Sequence, residues 1–132
     1  MEMPLANTNF VFNAPIDGEY LIDLYAGDYT MIEETFTDVL REYDEFIERI
    51  ITTYHEGDVG ALKSAVHKVK PLFGFVGLTT VQTLCLDFEN ACQKAASTAE
   101  LAPGFESLRK QLVNSKSVIA GELSRLSAFN RG

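Results

Sequence analysis

The chain has 132 residues, of which 46% are hydrophobic, and this length and apolar content fit one globular domain. Its formal net charge of −8 argues against a nucleic-acid binder and against docking on an anionic membrane, because both targets are held by lysine and arginine surfaces. No stretch reaches the roughly 20 apolar residues that span a bilayer, and the first residues lack the pattern of a secretory signal, so we expect a cytoplasmic protein.

Prolines, glycines and capping residues divide the chain into an extended lead and five helices. In chain order, we predict the lead over 1–16, a short helix over 17–25, and long helices over about 28–54, 58–76, 79–96 and 105–128. Asp28 and Thr30 are both suitable N-caps for the first long helix, because the side-chain oxygen of each can accept a backbone N–H. Asp58 is the corresponding cap of the next helix. The segment 97–104 contains Pro103 and is predicted to be a loop.

Each long segment carries apolar residues in steps of three and four, which is the spacing of one face of an α-helix. In the segment 58–76 this apolar stripe consists of Val59, Leu62, Val66, Val69, Phe73 and Val76. Only 9–13 hints at the alternation that is typical of a strand. We therefore predict an all-α fold, an antiparallel up-down four-helix bundle over 17–128 that includes a short extra N-terminal helix.

The two cysteines, Cys85 and Cys92, lie on the apolar stripe of the segment 79–96. Two helical turns separate their Cα atoms by about 10 Å, which is too far for an unstrained disulfide. We predict that both are buried core residues.

His67 lies away from the apolar stripe of its helix. Because successive helical residues are rotated by about 100°, the imidazole is more than about 90° from the centre of the stripe and is predicted to be exposed to solvent. Its neighbours on the same side, one or two turns away, are Lys63, Ser64, Lys70, Pro71 and Gly74.

Pro71 and Gly74 are unusual residues for a helix interior, where Pro costs about 3 kcal/mol and Gly about 1 kcal/mol relative to Ala. Pro71 has no N–H, so the carbonyl of His67 lacks its helical partner, and we predict a bend over 67–71. Compact residues around an exposed imidazole favour a site that another protein must approach closely.

An exposed imidazole beside lysines is suited to phosphoryl transfer. The ring is nucleophilic at neutral pH, since its pKa lies near about 6.5, and the reaction needs positive charge near the phosphoryl oxygens. Lys70 and Lys63 are within reach of a phosphate on His67, whereas Lys68 points further round the helix. The sequence shows neither a Mg²⁺-site spacing of acidic residues nor a nucleotide-binding loop. We therefore expect no cofactor of its own and no metal site, with Mg²⁺ supplied by a partner.

The segment 65–77, AVHKVKPLFGFVG, resembles the signature of histidine phosphotransfer (HPt) domains, in which a histidine is followed three residues later by a lysine and then by glycines. The segment 84–89, LCLDFE, is similar to the family's following region, and Asp17, Leu21, Gly27, Asp28 and Phe36 are similar to its entry segment. The resemblance covers about 16–96. It implies a phosphorelay carrier of two-component signalling that has no kinase or phosphatase activity of its own.

The same resemblance implies roles for individual residues. His67 is phosphorylated on Nε2, Lys70 assists electrostatically, and Gly74 gives the partner close access. The implied partners are receiver domains of hybrid sensor histidine kinases and of response regulators, each of which contributes an aspartate and Mg²⁺. Pro71 departs from the pattern, since the family usually places glycine directly after the lysine. Leu72 and Phe75 are also more apolar than the family pattern, and we predict that they form an apolar docking rim.

Three other functions remain to be weighed against a monomeric phosphorelay carrier. A receiver-docking module of the same fold would bind partners without carrying phosphate, and only phosphate labelling of His67 separates the two. A di-iron bundle enzyme would need inward Glu-x-x-His pairs, and neither His55 nor His67 belongs to one. The dimerisation half of a sensor kinase would need an ATP-binding domain, for which this chain is too short.

Overall fold

The computed structural model describes residues 9–132, so the part of the predicted lead that covers 1–8 lies outside the described residues. The described chain forms five α-helices and one short 3-10 helix. Their bounds are α1 Gly18–Tyr25, α2 Tyr29–His55, α3 Val59–Phe75, α4 Thr79–Lys94, the 3-10 helix Thr98–Leu101 and α5 Ala102–Asn130. No strand occurs within 9–132, and 9–13 is irregular. The all-α prediction is confirmed.

Aspartates start the first three helices. Asp17, Asp28 and Asp58 each accept a hydrogen bond from the backbone N–H three residues on, at 2.9–3.0 Å. These bonds satisfy one of the N–H groups that a helix start leaves without a partner. Of the two suitable caps for α2, Asp28 is the one used, and Thr30 lies in the first turn of the helix.

The prediction of a loop over 97–104 was wrong for most of that segment. Thr98–Leu101 forms a 3-10 helix, and α5 already begins at Ala102. Pro103 lies in the first turn of α5, where its missing N–H removes no helical hydrogen bond. At its other end α5 extends to Asn130, whose side-chain amide donates to Glu33 of α2 at 2.7 Å.

The four long helices form a bundle in which α3 packs against α2 and α4, and α5 packs against α2 and α4. Helices α3 and α5 therefore lie diagonally across the bundle. The core contains the stripe predicted for α3, of which only Val59, at the start of the helix, is partly exposed. Cys85 and Cys92 are buried free thiols, and burial raises the pKa of Cys85 to about 12. Their predicted role as core residues is confirmed. Within 9–132, no helix combines the length and the apolarity needed to cross a membrane.

The segment 9–17 is non-helical and packs along the bundle. Its buried side chains are Phe10, Phe12 and Ile16. The backbone N–H of Asn13 donates to Glu122 of α5 at 2.8 Å, and that of Asp17 donates to the carbonyl of Gly77 at 2.8 Å. This segment therefore ties α5 to the turn that follows α3.

Gly77 makes that attachment possible. Its φ of +75° is in the left-handed region that favours glycine. A Cβ at this position would lie 2.9 Å from Leu21 and 3.0 Å from Ile16. The missing side chain lets α1 and the segment before it lie directly against the C-terminal end of α3.

Candidate functional site

His67 lies in the middle of α3 and points away from the core. Its side chain is 69% exposed, whereas its neighbours Val66 and Val69 on the apolar stripe are buried. The predicted outward orientation of the imidazole is confirmed.

The ring of His67 is held by Glu89 of α4. Nδ1 of His67 and Oε1 of Glu89 are 2.6 Å apart, and the Glu89 side chain is only 7% exposed. An ionised carboxylate can only accept hydrogen bonds, so Nδ1 is the donor. In the neutral ring, Nε2 then carries the lone pair. The contact therefore leaves the outer nitrogen as the nucleophilic atom.

Lys70 neutralises the same carboxylate from the other side. Its Nζ is 2.6 Å from Oε2 of Glu89, and its side chain is 20% exposed. Burial alone would raise the pKa of Glu89, but the ammonium of Lys70 and the ring of His67 outweigh it and hold that pKa below its usual value. Glu89 is therefore charged at neutral pH and links the lysine to the imidazole.

These contacts belong to a longer polar seam, which we define as the facing residues of α3 and α4 at the pairs 63–93, 67–89, 70–89 and 74–82. At one end, the Nζ of Lys63 donates to Oε1 of Gln93. At the other end, Gly74 is buried, and a Cβ there would lie 2.9 Å from Nε2 of Gln82. The absent side chain of Gly74 thus makes room for an amide of α4.

The remaining residues predicted for the site lie on the outer side of α3. Ser64, Lys68 and Pro71 are exposed, Leu72 is partly buried, and Phe75 is 44% exposed. The structure thus groups Lys63, Lys70 and Gly74 along the seam and the other residues on the open face. The α-helix runs through Pro71 to Phe75, and the bend over 67–71 stays a prediction.

Charge is distributed unevenly around this site. Helix α3 carries Lys63, Lys68 and Lys70 but no acidic residue, although the whole chain has 19 acidic and 11 basic residues. A partner that approaches His67 therefore meets a basic helix on an otherwise acidic protein. Within the described residues 9–132, no group of three or more metal-ligating side chains is assembled.

Glu89 is the main site residue that the sequence analysis missed. It follows Cys85 by four residues and precedes Cys92 by three, so it lies beside the apolar stripe of α4. A charge in such a position is costly unless a partner satisfies it. A carboxylate beside an apolar stripe was therefore a sequence signal for a buried ion pair, but the sequence did not indicate which helix supplies the residues that pair with Glu89.

A helical bundle that presents an imidazole to solvent, backed by a buried carboxylate and a lysine, is suited to offering that imidazole to another macromolecule. The Hpt domain family model matches residues 34–128, which is more than half of the chain. The chain belongs to the Hpt domain family, whose members are phosphotransfer carriers without autonomous kinase or phosphatase activity.

A solved structure has the same fold. It is described as the HPt domain of an Hpt sensor hybrid histidine kinase from Shewanella, and it aligns with a TM-score of 0.76 at 23% sequence identity. The alignment covers 85% of this chain and 96% of that chain. A comparison with curated proteins gave no match.

Proposed function

We propose that His67 accepts a phosphoryl group from the receiver-domain aspartate of a hybrid sensor kinase and passes it to the receiver aspartate of a response regulator. The observation that carries this proposal is the contact between Nδ1 of His67 and the charged Glu89, because it leaves Nε2 exposed and nucleophilic. Family membership supports a phosphorelay carrier in general. The partners and the direction of transfer are our proposal.

The transfer step needs little from this chain besides a positioned nitrogen. The lone pair of Nε2 attacks phosphorus, the P–N bond forms, and the P–O bond to the aspartate breaks, so that the carboxylate leaves with the bonding electron pair. The product ring bears a proton on Nδ1 and the phosphoryl group on Nε2 and is therefore cationic. Glu89 stabilises that positive charge, and the reverse sequence delivers the phosphoryl group to the second aspartate.

The remaining site residues act on the phosphoryl oxygens or on the partner surface. Lys70 and Lys63 are anchored on the seam and supply positive potential, whereas Lys68 and Ser64 are free to contact oxygens or a partner loop. Pro71 and Gly74 are the other two site residues predicted from the sequence. Gly74 contributes to the site by leaving room for the side chain of Gln82. Mg²⁺ comes from the receiver domain. The carrier works as a cytoplasmic monomer.

Phosphate labelling tests this proposal. The wild type, His67→Gln and the control His55→Gln are each incubated with a phosphorylated receiver domain and Mg²⁺. We expect acid-labile phosphate on the wild type and on His55→Gln, and none on His67→Gln. Equal labelling of the wild type and His67→Gln would refute the assignment, and binding of the receiver without any labelling would indicate a docking module.

A further inference from the structure

A groove runs between α2 and α5, on the side of the bundle that faces away from His67. The imidazole contacts Glu89 of α4, so its site lies on the α3–α4 side, whereas α2 and α5 pack together on the opposite side. The groove has a volume of about 460 Å³, which is within the range of roughly 300–1,000 Å³ that is usual for ligand-binding clefts. We define this α2–α5 groove by the residues Asp44, Ile47, Glu48, Ile51, Val113 and Lys116.

The floor and one wall of the α2–α5 groove are apolar. Ile47 and Ile51 are about one helical turn apart on α2, and both are partly buried. Val113 of α5 lines the groove with them and is 54% exposed. The hydroxyl of the buried Tyr43 donates to the carbonyl of Leu112 at 2.5 Å and so connects α2 to α5 beside the groove. The apolar surface is therefore preformed, and a partner does not have to order it.

The α2 edge of the groove is acidic. Asp44 and Glu48 are about one turn apart on this edge, and α2 as a whole carries seven acidic and two basic residues. The carboxylate of Asp44 is paired with the ammonium of Lys116 at 2.8 Å, and this ion pair lies at one end of the groove. Glu48 is exposed, and within 9–132 it forms no ion pair. A cationic group of a partner can therefore bind beside Glu48.

The backbone of the groove favours a helix as its occupant. The groove is lined by two α-helices, whose interior N–H and C=O groups are already bonded within each helix. An extended segment lying on the apolar floor would bury N–H and C=O groups without partners, which is costly. A helix satisfies its own backbone and presents side chains at i, i+3, i+4 and i+7. The lining positions 44 to 52 of α2 extend over about 12 Å, enough for roughly two turns of such a helix.

We propose that the α2–α5 groove binds a basic amphipathic helix of a second protein. The apolar stripe of that helix packs on Ile47, Ile51 and Val113, and a lysine or arginine pairs with Glu48. An acidic helix would instead be repelled by α2. Because the groove and His67 lie on opposite sides of the bundle, the helix binds without covering the imidazole. The inference does not depend on phosphate transfer by His67.

Three synthetic peptides of about 18 residues, long enough to form a helix in water, serve as probes. The basic peptide has leucine at i, i+3, i+4 and i+7 and lysine beside this stripe. Its acidic counterpart has glutamate in place of each lysine, and a scrambled peptide keeps the basic composition without the stripe. In fluorescence anisotropy, we expect the wild type to bind the basic peptide at least about tenfold more tightly than the other two. Equal affinity for the basic and scrambled peptides would overturn the proposal.

Matched charge reversals on α2 locate the bound peptide. Glu48→Lys and Glu34→Lys both take the net charge from −8 to −6, and both glutamates are exposed, but only Glu48 lines the groove. Glu34 is about 21 Å away along the helix, more than two Debye lengths at 0.15 M salt. We expect the Kd of the basic peptide to rise roughly tenfold for Glu48→Lys and less than about twofold for Glu34→Lys. Equal weakening by both variants would overturn the proposal.

Apolar truncations and methyl NMR test the floor of the groove. Val113→Ser should raise the Kd about threefold, as for a truncated interface anchor, whereas Leu86→Ser, an exposed change on α4, should leave it unchanged. The methyl resonances of Ile47, Ile51 and Val113 should shift on addition of the basic peptide. The same spectra show that the variants keep the wild-type fold. Shifts confined to α3 and α4 would overturn the proposal.

A labelling assay separates this inference from the proposed function. Phosphoramidate is a small donor that needs no docking, since Nε2 of His67 attacks phosphorus, the P–N bond of the donor breaks and protonated nitrogen leaves as ammonia. We expect the peptide-saturated wild type to be labelled at the rate of the free protein, and slower labelling would place the peptide over His67 and overturn the groove. Peptide binding in the groove without any labelling of the wild type would uphold the groove and refute the carrier role. A wild-type dimer that Val113→Ser dissociates would assign the groove to a second copy and overturn the proposal.

Discussion

At the scale of single residues, the site depends on Glu89 more than on any lysine. Its carboxylate contacts the imidazole of His67 and the ammonium of Lys70, each at 2.6 Å, while its own side chain is buried. One group therefore sets the tautomer of the ring and holds the nearest lysine, and under the proposed function it would oppose the positive charge that phosphorylation places on the ring. Substitution of Glu89 should therefore have two separately measurable effects, one on the phosphorylation rate of His67 and one on the free energy of unfolding.

We expect Glu89→Ala to slow the phosphorylation of His67 by phosphoramidate about 10- to 100-fold, because a hydrogen bond to a charged group is worth about 1.5–3 kcal/mol. Glu89→Gln keeps an acceptor oxygen but loses the charge, so its phosphorylation rate should lie between those of the wild type and Glu89→Ala. Nitrogen-15 NMR of the imidazole should show the proton moving from Nδ1 toward Nε2 in Glu89→Ala. Asp87→Ala, an exposed change on the same helix, is the control. An unchanged tautomer in Glu89→Ala would contradict this role.

The pH dependence of stability should report the same carboxylate. Because the pKa of Glu89 is lower in the folded chain than its usual value, the ion pair stabilises the fold above the unfolded-state pKa. That contribution is lost as the pH falls through the lower, folded-state pKa. At pH 7 we expect Glu89→Gln to lower the free energy of unfolding by about 1–3 kcal/mol. Urea titrations should show this difference shrinking toward pH 3, and a difference that stays constant with pH would count against the ion pair.

At the scale of helices, spacing along the chain predicted what each helix does by itself. Steps of three and four placed Val66 and Val69 inside and His67 outside, because the angle around one helix axis depends only on sequence distance. The pairing of His67 with Glu89 joins two helices, and no local pattern states their relative rotation. The same holds for Gly74, whose local pattern suggested open access although Gln82 covers it.

The start of α5 shows a different limit of local reasoning. Pro103 signals a break when it is taken as a helix-interior residue, but the first turn of a helix tolerates proline. The buried Leu101 anchors the preceding 3-10 helix against the core, and this packing fixes the start of α5 at Ala102. Local chemistry allowed either boundary, and tertiary packing decided between them.

The two helical prolines should respond oppositely to replacement. In Pro71→Ala, the new N–H can donate to the carbonyl of His67, and the clash of the ring with the preceding turn disappears. We expect the free energy of unfolding to rise by roughly 1–3 kcal/mol, less than or equal to the full helix-interior cost of proline. Pro103→Ala, in the first turn of α5, should change it by less than about 0.5 kcal/mol. Urea denaturation of both variants checks this. A change in the free energy of unfolding below about 0.5 kcal/mol for Pro71→Ala as well would show that α3 already accommodates Pro71 without cost.

At the scale of the whole molecule, the charge distribution separates the basic helix α3 from an acidic remainder. Exposed carboxylates repel an acidic partner at long range, whereas lysines on α3 attract it at short range. The Debye length is about 10 Å at 0.1 M salt, so the lysines next to His67 should dominate at contact distance. The charge distribution of this chain should then help to orient the incoming domain, in addition to the shape of the two surfaces.

Matched charge reversals test this orientation. Lys68→Glu and Lys110→Glu both take the net charge from −8 to −10, and both lysines are exposed, but Lys68 adjoins His67 while Lys110 lies on the diagonal helix α5. Because local potential governs productive encounter, we expect Lys68→Glu to slow association with a receiver domain about 3- to 10-fold at low salt and Lys110→Glu less than about twofold. Stopped-flow association rates of the two variants and the wild type should converge near about 0.5 M salt, where salt screens electrostatic interactions beyond a few Å. Equal slowing by both variants would mean that only net charge matters and that α3 does not orient the partner.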